Sequence, residues 1–355
     1  MSLELGPLQR LGIIGFGRIA ETSHLPALVE LSDLAEVVAV ADSSEQRRQV
    51  ARRLTGLPAG KLYADYRTML ANERLDAVDI ALPHFLHERA AVDVARAGTN
   101  VIIEKPLAPT LEEADRIIRA AEEAGVQLAV IHNYIYRGPE AEAARLVRQG
   151  AIGRPFLVRI EHLNVSHYSG AAEYDPDWRT RSARSGGGAL LDNAYHWIYC
   201  SREFLGAPVE NVFARVATLS RPIEVDDSAL VLMTHRGGKL SSVQASWAVS
   251  GGGQAVSEIC GTKGTLAFQR DGVPLSIYTE SSGMWEAIDV PENDGFKSYF
   301  ESCFRSLIDG QPPPIGAQEA RLNLALIQSA YRSQALNRAL DVEPSTGEPL
   351  SHPEG

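Results

Sequence analysis

The chain has 355 residues, of which 45% are hydrophobic and 22% are charged, a composition typical of a globular protein with room for two domains. Its formal net charge of −11 argues against nucleic acid or an anionic membrane as a partner, because binding phosphate groups requires clustered Lys and Arg. The three cysteines, Cys200, Cys260 and Cys303, are widely spaced, so they predict neither a metal site nor a disulfide framework.

The same features predict a cytoplasmic protein. Unpaired cysteines suit a reducing compartment. The opening sequence MSLELGPLQR has no basic region followed by an apolar run, so no signal peptide is expected. No apolar run approaches the roughly 20 residues that a membrane span needs.

Short apolar runs alternate with amphipathic stretches in the first part of the chain. Near-continuous apolar strands that alternate with helices are typical of a parallel sheet covered on both faces, so residues 1–134 are predicted to form a doubly wound α/β domain. Thr110 and Glu113 have the spacing of a helix capping box. The predicted strands are 10–16, 36–42, 76–82, 99–105 and 126–132, and the predicted helices are 18–31, 44–54, 84–97 and 110–124.

The pattern changes after about residue 150, where the apolar runs become longer and alternate in polarity. Such strands, separated by glycine-rich turns, predict an open, mainly antiparallel sheet in a second domain, residues 135–355. One helix, 186–206, interrupts the strands, and a final helix, 317–339, is expected to pack back towards the first domain. The predicted strands are 154–165, 209–218, 226–235, 238–249, 255–261 and 261–269.

A glycine motif lies between the first predicted strand and the first predicted helix. Residues 15–20 have the pattern Gly-x-Gly-x-x-Ala, with Phe16, Arg18 and Ile19 at the variable positions. Gly15 permits a tight turn, Gly17 lets backbone N–H groups approach a pyrophosphate, and Ala20 lets the helix pack closely. The context favours a dinucleotide site, and a plain tight turn is the alternative.

Asp42 ends the second predicted strand, 22 residues after Ala20. A carboxylate at this spacing is typical of one that binds the adenosine ribose, and it favours NAD because it would repel a 2′-phosphate. The alternative is an N-cap for the helix 44–54. Arg47 and Arg48 follow closely, so NADP remains possible.

Lys105 ends the predicted strand 99–105, whose centre is apolar. Ligands of doubly wound sheets bind outside the carboxyl ends of the strands, so this lysine is predicted to face the cofactor crevice. There it would donate a hydrogen bond to a carbonyl or alcohol oxygen, and burial beside a cationic ring would lower its pKa towards the working range of an acid or base. The alternative is an exposed lysine head paired with Glu104.

Asp192 and His196 are four residues apart on one face of the predicted helix 186–206. A carboxylate can orient an imidazole for proton transfer near neutral pH, although a surface pair is the alternative. Just upstream, Trp178 and Arg179 are candidates for substrate contacts, or else a core anchor and a surface arginine.

These motifs together resemble those of the glucose–fructose oxidoreductase / inositol 2-dehydrogenase / rhizopine catabolism (Gfo/Idh/MocA) family. The resemblance implies that Lys105 is the catalytic lysine and that His196, paired with Asp192, donates or accepts the proton. It also implies that Leu82, Pro83 and His87 lie beside the nicotinamide ribose. The likeness spans nearly the whole chain, through residues 14–20, 24–28, 81–108, 153–159, 177–179, 186–198 and 261–266.

The resemblance further implies a Rossmann domain followed by an α/β domain whose open sheet joins homodimers or homotetramers. The implied activity is NAD(P)-dependent hydride transfer on a sugar, polyol or cyclitol. Two alternatives stay open: a redox-neutral glycosidase that holds NAD tightly, and a ligand sensor without catalysis. Spacing and resemblance together give the cofactor-binding residues as Gly15, Phe16, Gly17, Arg18, Ile19, Asp42, Ser43, Leu82, Pro83, His87, Glu104, Lys105 and Asn133, and the substrate-binding residues as Lys105, Trp178, Arg179, Asp192 and His196.

The chain departs from the family pattern at two places. The family often has Asn-Tyr-Arg-Phe where residues 133–136 are Asn-Tyr-Ile-Tyr, so a basic substrate contact is missing or displaced to Arg137. Ser43 and Ser44 follow Asp42, without the arginine that often marks NADP users. The substrate itself is not predicted, and further pocket candidates are His162, His167, Tyr168 and Tyr174.

Overall fold

The computed structural model describes residues 9–251 and 257–350, which contain two β-sheets. The first sheet has six strands in the order β3-β2-β1-β4-β5-β6, and all of its pairs are parallel. This is the predicted doubly wound sheet. Its strands are β1 (Gln9–Ile14), β2 (Ala35–Ala41), β3 (Leu62–Tyr63), β4 (Ala77–Ile80), β5 (Asn100–Ile103) and β6 (Leu128–Val130).

Helices connect these strands, much as the apolar spacing predicts. The predicted capping box at Thr110 and Glu113 is present. The predicted helix 18–31 is divided into a π-helical turn, Ala20–His24, and a short α-helix. β3 and α3 were not predicted, because a strand of two residues shows no alternation. The helices are α1 (Leu25–Glu30), α2 (Glu45–Thr55), α3 (Tyr66–Asn72), α4 (His87–Arg96) and α5 (Leu111–Ala124).

The second sheet has nine strands in the order β14-β13-β12-β11-β7-β10-β9-β8-β15. Its pairs are antiparallel except β7 with β10, which is parallel because the chain forms the β8–β9 hairpin before it returns beside β7. The strands are β7 (Pro155–Leu163), β8 (Val209–Ala217), β9 (Ser228–His235), β10 (Lys239–Ser246), β11 (Ser257–Gly261), β12 (Gly264–Arg270), β13 (Val273–Thr279), β14 (Trp285–Ala287) and β15 (Leu340–Asp341). The first two residues of the predicted strand 255–261 lie outside the described residues.

The second sheet has one buried face and one exposed face. In β9, Ala229, Val231 and Met233 are buried, whereas the intervening Leu230 and Leu232 are exposed. The buried face packs against helices that include α8 (Tyr195–Leu205) and α10 (Ala317–Leu336), and the other face is exposed. This alternation is the reason that sequence periodicity predicts most of these strands.

The remaining helices join the two sheets. The predicted helix 186–206 consists of a π-helical turn, Leu190–Ala194, and then α8. The helix α10 packs on the first half of the chain, where Arg321 Nη2 lies 3.0 Å from Asp115 Oδ2 of α5. No helix within residues 9–251 and 257–350 is long and apolar enough to cross a membrane. The helices are α6 (Gly138–Arg148), α7 (Ser182–Ser185), α8 (Tyr195–Leu205), α9 (Phe296–Ile308) and α10 (Ala317–Leu336).

The glycine-rich turn before α8 is fixed by Asp226, which precedes β9. The carboxylate of Asp226 accepts the N–H of Gly188 at 2.9 Å and the N–H of Leu190 at 2.7 Å. A Cβ atom on Gly188 would overlap the backbone of Asp226. The close approach of two backbones therefore requires glycine at this position.

We expect Gly188→Ala to lower the free energy of unfolding by about 1–3 kcal/mol, because a backbone neighbour must shift to admit the methyl group. Denaturant unfolding followed by circular dichroism measures the change. Gly60→Ala is the matched control, since a Cβ there meets nothing within 4 Å. Equal stability of the two variants would contradict this account of the turn.

Candidate active site

A cavity of about 630 Å³ opens at the carboxyl ends of β1, β2 and β4. Gly15 and Gly17 line it after β1, Asp42 lines it after β2, and Leu82 and Pro83 line it after β4. Ligands of doubly wound sheets bind at this edge. Arg18, Ile19 and Ser43 also line the cavity, and the segment between β7 and α7 covers it with Tyr168, Gly170, Ala171, Tyr174, Asp175, Trp178 and Arg179.

The two glycines of the turn have different roles. Gly15 has a φ of 87°, and a Cβ there would lie 2.6 Å from the carbonyl oxygen of Ala81. Gly17 is the opposite case, because a Cβ there would meet nothing within 4 Å. Gly15 is therefore needed for the turn to pack on β4, whereas Gly17 keeps space open above the backbone. That open space, at the start of a helix, fits the pyrophosphate of a dinucleotide.

Asp42 is fixed at the mouth of the cavity by backbone donors. Its Oδ2 accepts the N–H of Phe16 at 2.7 Å, and its Oδ1 accepts the N–H of Ser44 at 2.8 Å. The hydroxyl of Tyr174 also donates to Oδ1. Asp42 is not the N-cap of α2, because Ser44 has that position and accepts the N–H of Arg47. A carboxylate held this way fits a ribose diol.

The two arginines after Asp42 are already engaged. Arg47 is buried, its Nε donates to the carbonyl of Phe16 at 2.7 Å, and its Nη2 lies 2.6 Å from Glu21. Arg48 Nη1 donates to the carbonyl of Asp42 at 2.7 Å. Both guanidinium groups therefore stabilise the turn and the end of β2, which leaves them committed to protein acceptors.

Lys105 lies just beyond β5 and points towards the second sheet. Its Nζ donates to both Oδ1 and the carbonyl oxygen of Asp192, each at 2.8 Å. Only 11% of its side chain is exposed, so the alternative of a solvated lysine paired with Glu104 is wrong. Arg179 Nε lies 3.5 Å from Asp192 Oδ2. Burial alone would raise the pKa of Asp192, but Lys105 and Arg179 hold it well below its usual value.

His196 lies one turn after Asp192 but contacts other groups. Its Nδ1 is 3.0 Å from the hydroxyl oxygen of Tyr199, and its ring stacks on Tyr134 at 3.8 Å between centroids. The predicted contact from Asp192 to His196 is absent from the described hydrogen bonds, because two cations compete better for that carboxylate than a neutral imidazole does. Burial and the charge of Lys105 lower the pKa of His196 well below its usual value, so the ring is neutral.

Glu104, the neighbour of Lys105, contacts a histidine that sequence reasoning missed. His24 lies in the π-helical turn, with Nε2 at 3.0 Å from Glu104 Oε1 and Nδ1 at 2.8 Å from Asp79 Oδ2. Burial would lower the pKa of His24, but the two carboxylates raise it to about 10. His24 begins the family-like stretch 24–28, but no local pattern predicts its role, because its partners lie 55 and 80 residues away.

Several predicted residues support the site without lining the cavity. His87 is buried, with its ring nitrogens 2.9 Å from the carbonyls of Pro106 and Leu82. Asn133 donates to the carbonyl of Asp294 at 3.1 Å. Within the described parts of the chain, neither residue lines the cavity. Both hold loops at the ends of strands, and the contact with the cofactor that the sequence suggests for them stays a prediction.

The further pocket candidates divide into two pairs. Tyr168 and Tyr174 line the cavity, and the guanidinium of Arg18 lies 4.5 Å from the centre of the Tyr168 ring. His162 contacts Asn164 at 3.0 Å, and His167 contacts Asp177 at 3.2 Å. The tyrosines are therefore the better candidates for ligand contact.

Comparison with known proteins agrees with this geometry. The profile "Oxidoreductase family, NAD-binding Rossmann fold" matches residues 9–132, and the profile "GFO/IDH/MocA C-terminal domain" matches residues 141–267. The chain is 29% identical to the D-apiose dehydrogenase of Paraburkholderia graminis, over 93% of this chain and 89% of that protein. It is 26% identical to the myo-inositol 2-dehydrogenase of Thermotoga maritima, over 95% of this chain and 100% of that protein.

A solved structure agrees over a similar length. The WlbA dehydrogenase from Bordetella pertussis, in complex with NADH and UDP-GlcNAcA, is 27% identical and superposes with a TM-score of 0.80. The match covers 96% of this chain and 99% of that one. Since both family profiles match in order and the relatives extend over nearly the whole length, this chain belongs to the Gfo/Idh/MocA family of NAD-binding oxidoreductases.

Proposed function

We propose that this oxidoreductase transfers a hydride between the nicotinamide of NAD and a carbinol or ketone carbon of a sugar, polyol or cyclitol. The observation that carries the proposal is the buried group of Lys105, Asp192 and Arg179, of which Arg179 lines the cavity. An ammonium held on a carboxylate at this edge is suited to polarise a substrate oxygen. The relatives named for D-apiose and myo-inositol support polyhydroxylated substrates.

Each polar group has a proposed task in the reaction. When bound, the nicotinamide ring accepts or returns the hydride. Lys105 Nζ donates a hydrogen bond to the substrate oxygen and stabilises the negative charge that develops there. Asp192 holds that ammonium group in place. His196 is neutral, so it can take the hydroxyl proton, while Tyr199 and Tyr134 hold its ring.

We further propose that the cofactor is NAD rather than NADP. Asp42 would repel a 2′-phosphate, and Arg47 and Arg48 are engaged by acceptors within the protein. A phosphate-binding site at this position would need a free guanidinium group, and these two arginines do not supply one.

Lys105→Met is expected to lower kcat by roughly two to four orders of magnitude, because the substrate oxygen loses its donor. NADH formation is measured on a panel of cyclitols, aldoses and sugar acids, with NAD and NADP run side by side. NADH binding, followed by fluorescence, should persist in the variant. The control is Lys263→Met, since Lys263 is exposed in the turn between β11 and β12. Near-normal turnover by Lys105→Met would refute the assigned role.

The glycine turn offers a second test that needs no substrate. Gly17→Ala places a methyl group in the open space over the turn, so NADH affinity should fall roughly tenfold or more with little loss of stability. Gly15→Ala should instead lower the melting temperature, because its Cβ overlaps β4 and its φ is positive. Fluorescence titration and thermal unfolding separate the two effects. Unchanged affinity in Gly17→Ala would place the pyrophosphate elsewhere.

We propose that a second copy of the chain covers the open face of the second sheet. Leu230, Leu232 and Leu240 are 40%, 44% and 50% exposed on that face. A contiguous apolar patch of this kind is typical of an interface. Light scattering should therefore give the mass of a dimer or tetramer, and Leu232→Glu should reduce it while NADH binding persists. A monomeric wild-type protein would refute the interface.

We also propose that the protein works in the reducing environment of the cytoplasm. Its three cysteines are unpaired, and Cys200 and Cys303 are buried. Burial raises the pKa of the Cys303 thiol to about 12, which keeps it protonated and unreactive.

A further inference from the structure

We propose that His24 is a positioning residue for the reaction, because its imidazolium fixes the carboxylate of Glu104 and, through it, the main chain of Lys105. This inference rests on the proposed function of Lys105. His24 touches none of the reacting atoms, so its effect must pass through Glu104. It belongs to the same helical turn that follows the glycine motif, and it therefore links the cofactor half of the site to the catalytic lysine.

The hydrogen bonds define the charge of His24. The residue is fully buried, and each ring nitrogen faces a carboxylate oxygen, from Asp79 on β4 and from Glu104 beyond β5. An ionised carboxylate only accepts hydrogen bonds, and these two carboxylates raise the pKa of His24 to about 10, so both nitrogens carry a proton at neutral pH. The ring is therefore an imidazolium that bridges the ends of two adjacent strands.

Glu104 carries this constraint to Lys105. While Oε1 binds His24, Oε2 accepts the N–H of Lys105 at 3.0 Å. At the other end of Lys105, the side-chain Nζ donates to Asp192 Oδ1 at 2.8 Å. The lysine is thus fixed at its amide and at its ammonium group. Such double anchoring restricts a long side chain that otherwise has much conformational freedom.

The surroundings of Glu104 offer little other compensation for its charge. Burial would raise the pKa of Glu104, and His24 and then Lys105 lower it below its usual value. On α9, the rings of Phe296 and Phe300 pack 5.2 Å and 5.3 Å from His24. His87 of α4 also faces the cluster and lowers the pKa of Glu104, but less than His24 and Lys105 do. His132 after β6, Tyr195 of α8 and Tyr299 of α9 face it as well. Burial lowers the pKa of His132 to about 4 and raises the pKa of both tyrosines, so these three are uncharged at neutral pH.

Removal of His24 should therefore change how Glu104 titrates. With a neutral glutamine in its place, the buried carboxylate loses its main cation and its pKa rises towards neutrality. Protonated Glu104 is a poorer acceptor for the Lys105 N–H, so the lysine loses one anchor as the pH falls. A purely structural ion pair would instead affect stability alone.

The test is the pH dependence of kcat in His24→Gln, from about pH 5 to pH 9. We expect kcat near neutral pH to fall roughly 10- to 100-fold, with a new loss of activity on the acidic side and little change in the KM for NAD. His235→Gln is the matched control. His235 is also fully buried, but it bonds Ala207 and Ser241 in the second sheet, so its loss should affect stability alone.

A second variant identifies the titrating group. If Glu104 is responsible, the double variant His24→Gln/Glu104→Gln should lack the acidic loss of activity that the single variant shows. A wild-type pH profile in His24→Gln, after correction for the fraction folded, would overturn the proposal. Persistence of the acidic loss in the double variant would overturn it as well.

Nuclear magnetic resonance of ¹⁵N-labelled histidine gives a readout that does not depend on turnover. The signals of His24, identified by their absence in His24→Gln, should show both nitrogens protonated at about pH 8. A singly protonated ring would refute the bridge. If the wild type oxidises nothing while this spectrum is as expected, the proposed dehydrogenase activity fails and the bridge between Asp79 and Glu104 stands.

Discussion

One buried carboxylate, Asp192, holds a group of charged side chains together. Its carboxylate contacts Lys105, just beyond β5, and Arg179, in the segment that covers the cavity. Three segments of the chain therefore meet at one negative charge. A buried carboxylate is costly unless cations and donors surround it, which makes each of these contacts depend on the others. The glycine-rich turn just before Asp192 is itself held by the carboxylate of Asp226, and it requires that Gly188 have no side chain.

Much of the first sheet could be predicted from the sequence, because its signals are local. Strands such as β5 are continuous apolar runs, α5 carries its own capping box, and the glycine turn has a fixed spacing. The second sheet was predictable where polarity alternates, as in β9. The two-residue strand β3 and the helix α9, which follows a polar stretch, carried weaker signals and were missed.

The site was less predictable than the fold because its contacts are not local. Sequence spacing suggested Asp192 and His196 as partners, since they share a helix face. In the folded chain the carboxylate instead bonds Lys105, which is 87 residues away in sequence, while His196 bonds Tyr199. The role of His24 was not predicted for the same reason, although the residue begins the family-like stretch 24–28. Local periodicity predicts which face of a helix or strand is buried, but it does not predict which charged side chains contact one another on that face.

The hydroxyl of Tyr174 has a consequence for how the cofactor site works. It donates to Asp42 Oδ1, an oxygen that a ribose diol would also use, from a position 132 residues away in sequence. A nucleotide that binds Asp42 in the proposed way would compete with the phenol, and its measured affinity would then be the difference between the free energies of the two contacts. By linkage, a change that loosens the covering segment would raise the affinity for the nucleotide. A change that orders Tyr174 against Asp42 would lower that affinity. The proposed adenosine site at Asp42 would thus be coupled to the segment that also carries Arg179.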